Sequence, residues 1–325
     1  MKVSVILPFK NVETWVEETL DSILNQSHQD WELIAVDDHS SDNSFSIVEK
    51  YALLDERIFV FTNKSEGIIP ALQLGISKAI GKYITRMDAD DIMPNNRLDL
   101  FVNNLKNSNS KTIATGKVQY FGEQAISEGY RSYEHWLNDR VENQDHWKHI
   151  YRECVIASPN WIVQNSPEMT QIFSELVYPE DYDMCFRWYQ AGYEIKSIPE
   201  ITLQWREHPQ RTSRNHENYQ QQAFFNLKLS WFLQNERPQD KIALIGAGQK
   251  GKLTASYLIE NNIDFNWYDL KSNKINSKIL GKEILPVDEV NETKALVAVY
   301  PNPIGPLEKF LSEKQFTIGK NAWYL

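Results

Sequence analysis

The sequence predicts an α/β protein with a mostly parallel, doubly wound sheet, followed by a second and smaller α/β unit. The first observation is that apolar runs alternate with helical patterns four times within about 90 residues, which is typical of a parallel sheet. The second is that a new strand, a glycine-rich turn and a helix begin at Lys241, just after Pro238. A chain of 325 residues is long enough for one large domain and a small one.

The first part of the chain contains the four strand patterns and the helices that connect them. Apolar runs predict strands at 2–7, where Pro8 ends the run, and at 31–36, 57–61 and 82–84. Helical spacing predicts helices at 13–26, 43–54 and 95–105, and one more that carries Ala71, Leu74 and Ile76. Because a helix follows each strand, neighbouring strands are expected to run parallel.

Beyond residue 105 the periodicity is weaker. Strands are predicted at 111–121, 157–163, 193–198 and 201–205, a helix between Pro179 and Gly192, and a long helix at 217–233. In the smaller unit, the predicted strands end at Ile245 and Asp269, with a helix to residue 261 between them. We therefore expect domains at 1–215 and 239–325, joined by a helix and linker at 216–238.

Composition and charge limit the classes of partner and the compartment. A hydrophobic content of 42% with 24% charged residues is ordinary for a soluble globular protein, and the net charge of −10 argues against a nucleic-acid partner. Two cysteines do not make a disulfide framework, so free thiols in a reducing cytosol are expected. Met1 leads directly into a predicted strand, and no apolar run reaches the ~18–20 residues of a membrane span. The expectation is a cytoplasmic protein without a signal peptide or transmembrane segment.

An acidic loop, Asp88-Ala89-Asp90-Asp91, follows the predicted strand at 82–84. The carboxyl ends of strands are where open α/β sheets bind ligands. Crowded carboxylates raise one another's pKa unless a cation lies among them, and Mg²⁺ or Mn²⁺ suits such a site. The alternative is an acidic loop that caps the next helix.

The smaller unit contains the pattern Gly-x-Gly-x-x-Gly at Gly246, Gly248 and Gly251. Asp269 follows Gly246 by 23 residues, which is close to the ~20 of a dinucleotide-binding fingerprint. Residues 241–325 are enough for half of such a fold. This Rossmann-like unit is therefore a possible second nucleotide site, but a role in docking on the first domain or in regulation is favoured.

Five stretches in this order resemble family 2 glycosyltransferases of GT-A fold. They are Val3–Pro8, residues 36–42, Asn63–Gly67 with Ala71 and Gly75, Arg86–Asp91, and Glu180-Asp181. The resemblance covers roughly residues 1–215 and implies metal-dependent, inverting transfer of a sugar from a nucleotide diphosphate sugar, with UDP expected, to an acceptor hydroxyl. The Gln-x-x-Arg-Trp motif of processive members is absent, which argues against a polymer-extruding synthase.

The resemblance also implies roles for individual residues at the donor site. Asp90 is expected to bind Mg²⁺ or Mn²⁺ directly, His208 to supply a third ligand, and Asp88 to contact the ribose or a metal-bound water. Asp38 corresponds to the residue that accepts the uracil N–H, and Pro8 to the wall beneath the base. The remaining expectations are that Arg86, Arg211 or Arg214 contacts the diphosphate, that Asp37 holds its loop together, and that His39 replaces the usual glycine.

For two residues of the acidic stretch an alternative role stays open. Arg86 could instead form a buried ion pair with Asp37 or Asp88. Asp91 could be a helix cap rather than part of the site.

The catalytic base is expected to be Asp181, at the start of the predicted helix after Pro179. An inverting transfer needs one base that takes the acceptor proton, and a helix N-terminus favours the ionised carboxylate. The alternative is that Asp181 only caps the helix and that Glu180 is a solvated neighbour. Asp183 lies on a different face and is a weaker candidate.

The expected partners are a nucleotide diphosphate sugar and a saccharide or lipid-linked saccharide acceptor, as in surface glycan or glycoconjugate synthesis. Residues 132–151, rich in Trp, His and charge, are expected to shape the acceptor site. Contact with a membrane surface stays open. Two other hypotheses are an oxidoreductase that uses the Gly246–Gly251 turn and a sugar-nucleotide sensor or scaffold without turnover. The intact Asp88, Asp90 and Asp181 set argues against the sensor.

Overall fold

The computed structural model describes residues 1–211, 217–236, 241–270, 274–299 and 305–325. The chain divides into two compact units, Met1–His146 with Ile156–Asn215, and Trp147–Val155 with His216–Leu325. Each contains a sheet of mainly parallel strands with helices, so the predicted α/β fold class is confirmed.

The sheet of the first unit is parallel on one side and mixed on the other. Its strands are β1 (Val3–Phe9), β2 (Trp31–Asp37), β3 (Ile58–Thr62), β4 (Tyr83–Arg86), β5 (Thr112–Phe121), β6 (Ile162–Gln164) and β7 (Glu194–Arg206), in the order β3-β2-β1-β4-β6-β5-β7. Strands β1 to β4 are parallel, whereas β6 is antiparallel to β4 and β5. The carboxyl ends of β1, β2 and β4 therefore meet at one edge, where a ligand site is expected.

The helices of the first unit cover the apolar strands. They are α1 (Val16–Leu24), α2 (Ser44–Leu54), α3 (Ile68–Lys78), α4 (Arg97–Leu105), α5 (Glu128–Asn143), α6 (Pro167–Ser174) and α7 (Glu180–Gln190). Every residue of β1 and β2 is buried, as expected for strands with neighbours on both sides and helices above them. This packing fixes the backbone from which the acidic loop leaves the sheet.

Pro8 does not end its strand as predicted, because β1 continues to Phe9. Pairing of β1 with β4 stops at Ile6, so at Pro8 the strand has only β2 as a partner. A residue without an N–H is tolerated where one side of a strand is unpaired. The prediction for 157–163 is also mostly wrong: β6 begins at Ile162, although the preceding residues are buried.

Helix α5 was not predicted, because its side that faces β5 is partly polar. Asn138 accepts the Val118 N–H through Oδ1 and donates to the Val118 carbonyl through Nδ2, both at 2.9 Å. Glu134 accepts the Tyr120 N–H. These side chains satisfy backbone groups of β5 beyond its pairing with the short β6, so burial here does not require an apolar stripe.

The second unit has its own sheet, in the order β10-β11-β9-β8-β12-β13. Its elements are β8 (Ile242–Ile245), β9 (Phe265–Asp269), β10 (Lys278–Ile279), β11 (Lys282–Pro286), β12 (Ala295–Val297), β13 (Ala322–Tyr324), and helices α8 (Gln221–Glu236), α9 (Gln249–Glu260) and α10 (Gly305–Glu313). All neighbours are parallel except β10 and β11.

Residues 147–155 group with the second unit, whereas the prediction ran the first domain from 1 to 215 without a break. The reason is local bonding: the Tyr151 hydroxyl donates to Glu236 at 3.0 Å, and the Lys228 ammonium donates to the Arg152 carbonyl at 3.3 Å. Cys154 and Cys185 are buried, and neither forms a disulfide bond. Within the described part of the chain, no helix combines the length and apolar character needed to cross a membrane.

Candidate active site

The acidic loop leaves the sheet at the carboxyl end of β4, beside β1. The Met87 N–H donates to the Ile6 carbonyl at 2.9 Å, and the Asp91 N–H donates to the Asp88 carbonyl at 3.2 Å, which makes a tight turn. The side chains of Asp88 and Asp90 are 22% and 20% exposed, whereas Asp91 is 1% exposed. Two carboxylates are thus accessible from solvent and the third is buried.

Asp91 is not a helix cap, because α4 begins at Arg97 and the residue before it is Asn96. One oxygen of Asp91 accepts the Arg206 N–H at 2.8 Å, and among the described residues the other has no hydrogen-bond partner. Burial raises the pKa of Asp91 well above its usual value, and the charges of Asp90 and Asp88 raise it further. Asp91 therefore fastens the acidic loop to β7.

Arg86 connects the acidic loop to the start of α7. Its Nε donates to Asp88 at 2.6 Å and its Nη1 to Glu180 at 3.2 Å. The predicted ion pair with Asp88 is present, and Asp37 instead accepts the Ser40 N–H at 3.1 Å, within its own loop. Because Arg86 and Glu180 are both buried, this ion pair holds two distant segments of the sequence together.

Asp181 is the second residue of α7, and the N-cap position is occupied by Pro179. Its Oδ1 accepts the N–H of Tyr182 at 2.8 Å. Burial, followed by the charge of Glu180, raises the pKa of Asp181 to about 7, although the charge of Arg86 and the hydrogen bond from the Tyr182 N–H oppose this shift. A carboxylate with this pKa is suited to accept a proton near neutral pH.

The two acidic residues near Asp181 on the same helix, Glu180 and Asp183, are both held by contacts within the fold. Glu180 is 2% exposed and paired with Arg86, so the description of it as a solvated neighbour is wrong. Asp183 is fully buried, accepts from Arg187 Nε at 2.8 Å, and accepts the Val177 N–H at 3.0 Å. Its carboxylate is therefore committed to the fold.

His208 lies against the accessible face of the acidic loop. Its Nε2 is 2.9 Å from Asp90 Oδ2, its ring centroid is 3.9 Å from that of Trp15, and its buried Nδ1 has no partner among the described residues. Burial works to raise the pKa of Asp90, but the hydrogen bond with His208 and the charge of Arg211 hold it below its usual value. Burial raises the pKa of Asp88, with Arg86 opposing and Asp90 adding to the effect.

Arg211 is held beside the acidic loop by aromatic rings and a carboxylate. Its guanidinium lies 4.9 Å from the Trp205 ring centroid and donates to Glu207 at 3.3 Å. Although burial opposes it, the nearby Tyr120 and the charges of Asp91 and Asp90 raise the pKa of Arg211. Arg214, the other predicted diphosphate contact, lies outside the described residues.

Asp38 stands at the end of β2 and anchors the loop before α3. It accepts from Asn63 Nδ2 at 2.8 Å and from the Gly67 N–H at 2.9 Å, with Lys10 Nζ at 3.7 Å. His39 has φ of +62°, in the left-handed region that favours glycine, which explains why its position carries a glycine in the resemblance. Pro8 lies near the end of the adjacent strand β1.

Two arginines that support the loop were missed. Arg97 is fully buried and donates through Nη2 to the Arg86 carbonyl and to Thr85 Oγ1, both at 3.1 Å. Arg206 Nε donates to the Asp90 carbonyl at 2.6 Å. Burial lowers the pKa of Arg97 to about 9, and the charges of Asp91 and Asp88 oppose that shift. The available signal for Arg97 was its position four residues before the buried Phe101, on the apolar face of α4.

The glycine-rich turn of the second unit forms as predicted between β8 and α9. Gly246 has φ of +108°, and a Cβ on Gly251 would come within 1.9 Å of the Gly246 carbonyl. Asp269 accepts the Ala247 N–H at 2.6 Å and pairs with Lys274 at 3.3 Å. Because its carboxylate holds the turn, it is less available to a ribose, which weakens the oxidoreductase hypothesis.

The chemistry of the acidic loop fits a hard divalent cation. Within the described residues, no group of three His, Cys, Asp or Glu side chains stands ready to hold a metal ion. Mg²⁺, however, is typically held by one or two carboxylates, with water and substrate phosphates as its other ligands. Asp90 and Asp88 supply such carboxylates. The charge of Asp90 contributes to raising the pKa of Asp88, and a bound cation would relieve this repulsion between the two carboxylates.

Comparisons with known proteins bear on the family and the fold of the chain. Residues 4–162 match the family model described as Glycosyl transferase family 2. An uncharacterized glycosyltransferase of Haemophilus influenzae is 26% identical over 307 residues, covering 90% of this chain and 89% of that protein. A putative teichuronic acid biosynthesis glycosyltransferase of Bacillus subtilis, TuaG, is 38% identical over 98 residues, or 30% of this chain and 39% of TuaG.

A solved structure of S. aureus TarS in complex with UDP-GlcNAc is similar with a TM-score of 0.54 and 17% identity. The similarity covers 79% of this chain and 72% of the TarS chain. At this identity the match shows a shared fold. An uncharacterized glycosyltransferase of Rickettsia bellii is 38% identical over 180 residues, and this chain spans 24% of its length.

Proposed function

Because residues 4–162 make this chain a family 2 glycosyltransferase, we propose that it transfers a sugar from a UDP-sugar to an acceptor hydroxyl, with inversion of the anomeric carbon. The sheet order and the similarity to TarS identify the fold as GT-A. TarS has been solved with UDP-GlcNAc and with UDP, which supports a UDP-sugar as the donor here. The acceptor we propose is a saccharide or lipid-linked saccharide.

One observation carries the proposal: Arg86 bonds Asp88 on the acidic loop and Glu180 at the start of α7. The residue after Glu180 is Asp181, and the charge of Asp88 is among the influences on its pKa. One buried arginine thereby supports, through two ion pairs, the carboxylates proposed for the donor and for the acceptor proton. Such rigid support is what a reaction between two positioned substrates requires.

At the donor end, the nucleotide lies along the carboxyl ends of β1, β2 and β4 in our proposal. Asp38 and Pro8 border the base, and Arg211 and Arg86 lie near the diphosphate. Mg²⁺ or Mn²⁺ would be held by Asp90 and His208, with Asp88 beside it, and would stabilise the growing charge of the leaving diphosphate. The imidazole ring is kept in orientation by Trp15, whose ring centroid is 3.9 Å away.

At the acceptor end, Asp181 takes the hydroxyl proton as the acceptor oxygen attacks the anomeric carbon. Its Oδ1 is bonded to the Tyr182 N–H, which leaves Oδ2 as the atom for the proton. The pKa of about 7 supports this role, because the ionised form is present near neutral pH and its basicity is still useful. We assign residues 132–146, the part of the stretch 132–151 that belongs to the first unit, to the acceptor side. We propose the cytoplasm as the compartment of the reaction.

A thermal-shift panel tests the proposal on the full chain. UDP-, GDP- and CDP-sugars are compared, each with Mn²⁺ and with EDTA. The expected result is a rise in melting temperature with UDP-sugars that depends on Mn²⁺, because ligands that bind the folded state stabilise it. The absence of a shift with every nucleotide sugar would contradict the proposal.

A further inference from the structure

A cleft of about 600 Å³ opens at the amino end of α9 in the second unit. Its volume lies in the range of pockets that hold small molecules. The residues that matter for its chemistry are Gly248, Gln249, Lys252, Lys274, Ile279 and Leu280. Nothing in the glycosyl transfer proposed for the first unit uses it.

Packing requires glycine at only two of the three positions of the glycine-rich turn. At Gly246 a Cβ would meet the Ala298 carbonyl at 2.8 Å, and at Gly251 it would meet the Gly246 carbonyl at 1.9 Å. Packing within the unit therefore explains both. At Gly248 a Cβ would meet nothing within 4 Å, and φ is −80°, which any residue adopts. The missing side chain at Gly248 instead leaves the backbone of the cleft open to a ligand.

The presence of leucine at position 280, like that of glycine at position 248, is not explained by packing within the second unit. The pairing of Ile279 with Lys282 leaves Leu280 and Gly281 as a two-residue turn, with φ of +51° and +76°. This turn strongly favours asparagine before glycine, and a leucine there is strained. Leu280 is nevertheless 51% exposed and lines the cleft. Because about half of the residue is exposed, packing within the described residues does not offset this strain.

The charged groups of the cleft lie on the side of the glycine-rich turn. Lys252 is exposed and forms no ion pair within the described residues, while Lys274 pairs with the buried Asp269. Helix α9 has Gly248 at its N-cap, and no side chain caps its amino end among the described residues. One side of the cleft is thus suited to phosphate and the other, at Ile279 and Leu280, to an apolar ring.

We propose that this cleft is a second binding site, and that its ligand is a nucleoside phosphate. The phosphates bind at the amino end of α9 with Lys252, and the base packs against Leu280 and Ile279. A free phosphate would leave the apolar wall unused. A dinucleotide would need the Asp269 carboxylate for its first ribose, and that carboxylate is bonded to the Ala247 N–H.

Isothermal titration of the full chain with UDP, ADP and inorganic phosphate, in EDTA, tests the proposal. Leu280→Asn replaces the strained leucine with the residue the turn favours, and Gly248→Val fills the open space. Ile259→Asn removes an exposed apolar side chain of α9 outside the cleft and is the matched control. Melting temperatures are recorded for every variant.

The expected result is that UDP or ADP binds the wild type, and that Leu280→Asn and Gly248→Val each weaken the binding about tenfold or more. Leu280→Asn should do so without lowering the melting temperature, and Ile259→Asn should not affect binding. The proposal is overturned if neither nucleotide binds, if both cleft variants bind normally, or if phosphate binds as tightly as the nucleotides. Binding that Asp90→Asn removes and Leu280→Asn preserves would belong to the first unit and would also overturn it.

Discussion

Replacing Asp181 with asparagine should lower turnover and raise stability together. Asparagine keeps an oxygen that can accept the Tyr182 N–H, but it cannot take the acceptor proton. The expected loss in kcat is about 10²- to 10⁴-fold, the usual contribution of a positioned base, or roughly 3–5 kcal/mol of activation free energy. The Kd for the donor should hardly change, because this side chain acts on the acceptor.

The stability effect has the opposite sign because burial raises the pKa of Asp181 to about 7 in the folded protein. Between its unfolded pKa near 4 and that value, the folded state holds a proton that the unfolded state has released, so stability falls as the pH rises. At pH 8 the ionised carboxylate is a cost to folding, and Asp181→Asn removes it. The melting temperature at pH 8 should therefore increase.

The assay combines UDP release from a UDP-sugar, titration of UDP, and thermal unfolding at pH 8. Asp183→Asn is the matched control, because Asp183 lies on the same helix and pairs with Arg187 in the fold. The melting temperature of Asp183→Asn should be lower than that of the wild type, since one partner of a buried ion pair is lost. A kcat of Asp181→Asn close to that of the wild type would refute the assignment of the base.

Three further predictions concern the same site. The kcat of the wild type should fall about tenfold per pH unit below pH 7, as Asp181 becomes protonated, and a flat profile would contradict its titration as the base. Asp90→Asn should weaken Mn²⁺-supported binding of UDP at least about tenfold by titration calorimetry, whereas the exposed Asp139→Asn should not; equal affinities would remove Asp90 from the site. His39→Gly should increase the free energy of unfolding by up to about 1 kcal/mol in urea, because glycine relieves the left-handed backbone, and a decrease would show that the histidine side chain supports the loop.

The sheet was predictable wherever burial came from apolar side chains. Strands β1 to β4 read as apolar runs, and the structure contains them at nearly the predicted positions. Helix α5 escaped prediction because Glu134 and Asn138 pack against β5 through hydrogen bonds. In 157–161 the apolar residues are buried as a loop, where Asn160 donates to the Gly116 carbonyl, so burial did not imply a strand.

The candidate site was predictable in its residue types and less so in its connections. The acidic loop, Asp181 and His208 stand in recognisable local patterns, and local patterns are what a sequence displays. The bonds of Arg206 to the acidic loop span more than 100 positions and depend on how β7 packs. The charge pair between Arg86 and Glu180 depends equally on the tertiary fold, as does the raised pKa of Asp181.

In the proposed mechanism, Asp181 and the acidic loop carry out the transfer with inversion at the anomeric carbon of a UDP-sugar. Proton NMR of the sugar released from an α-linked UDP-sugar, followed in real time with water as the acceptor, tests it most directly. The expected result is that the β-anomer forms first and equilibrates later, and that Asp181→Asn slows its formation. Initial release of the α-anomer would contradict the claim.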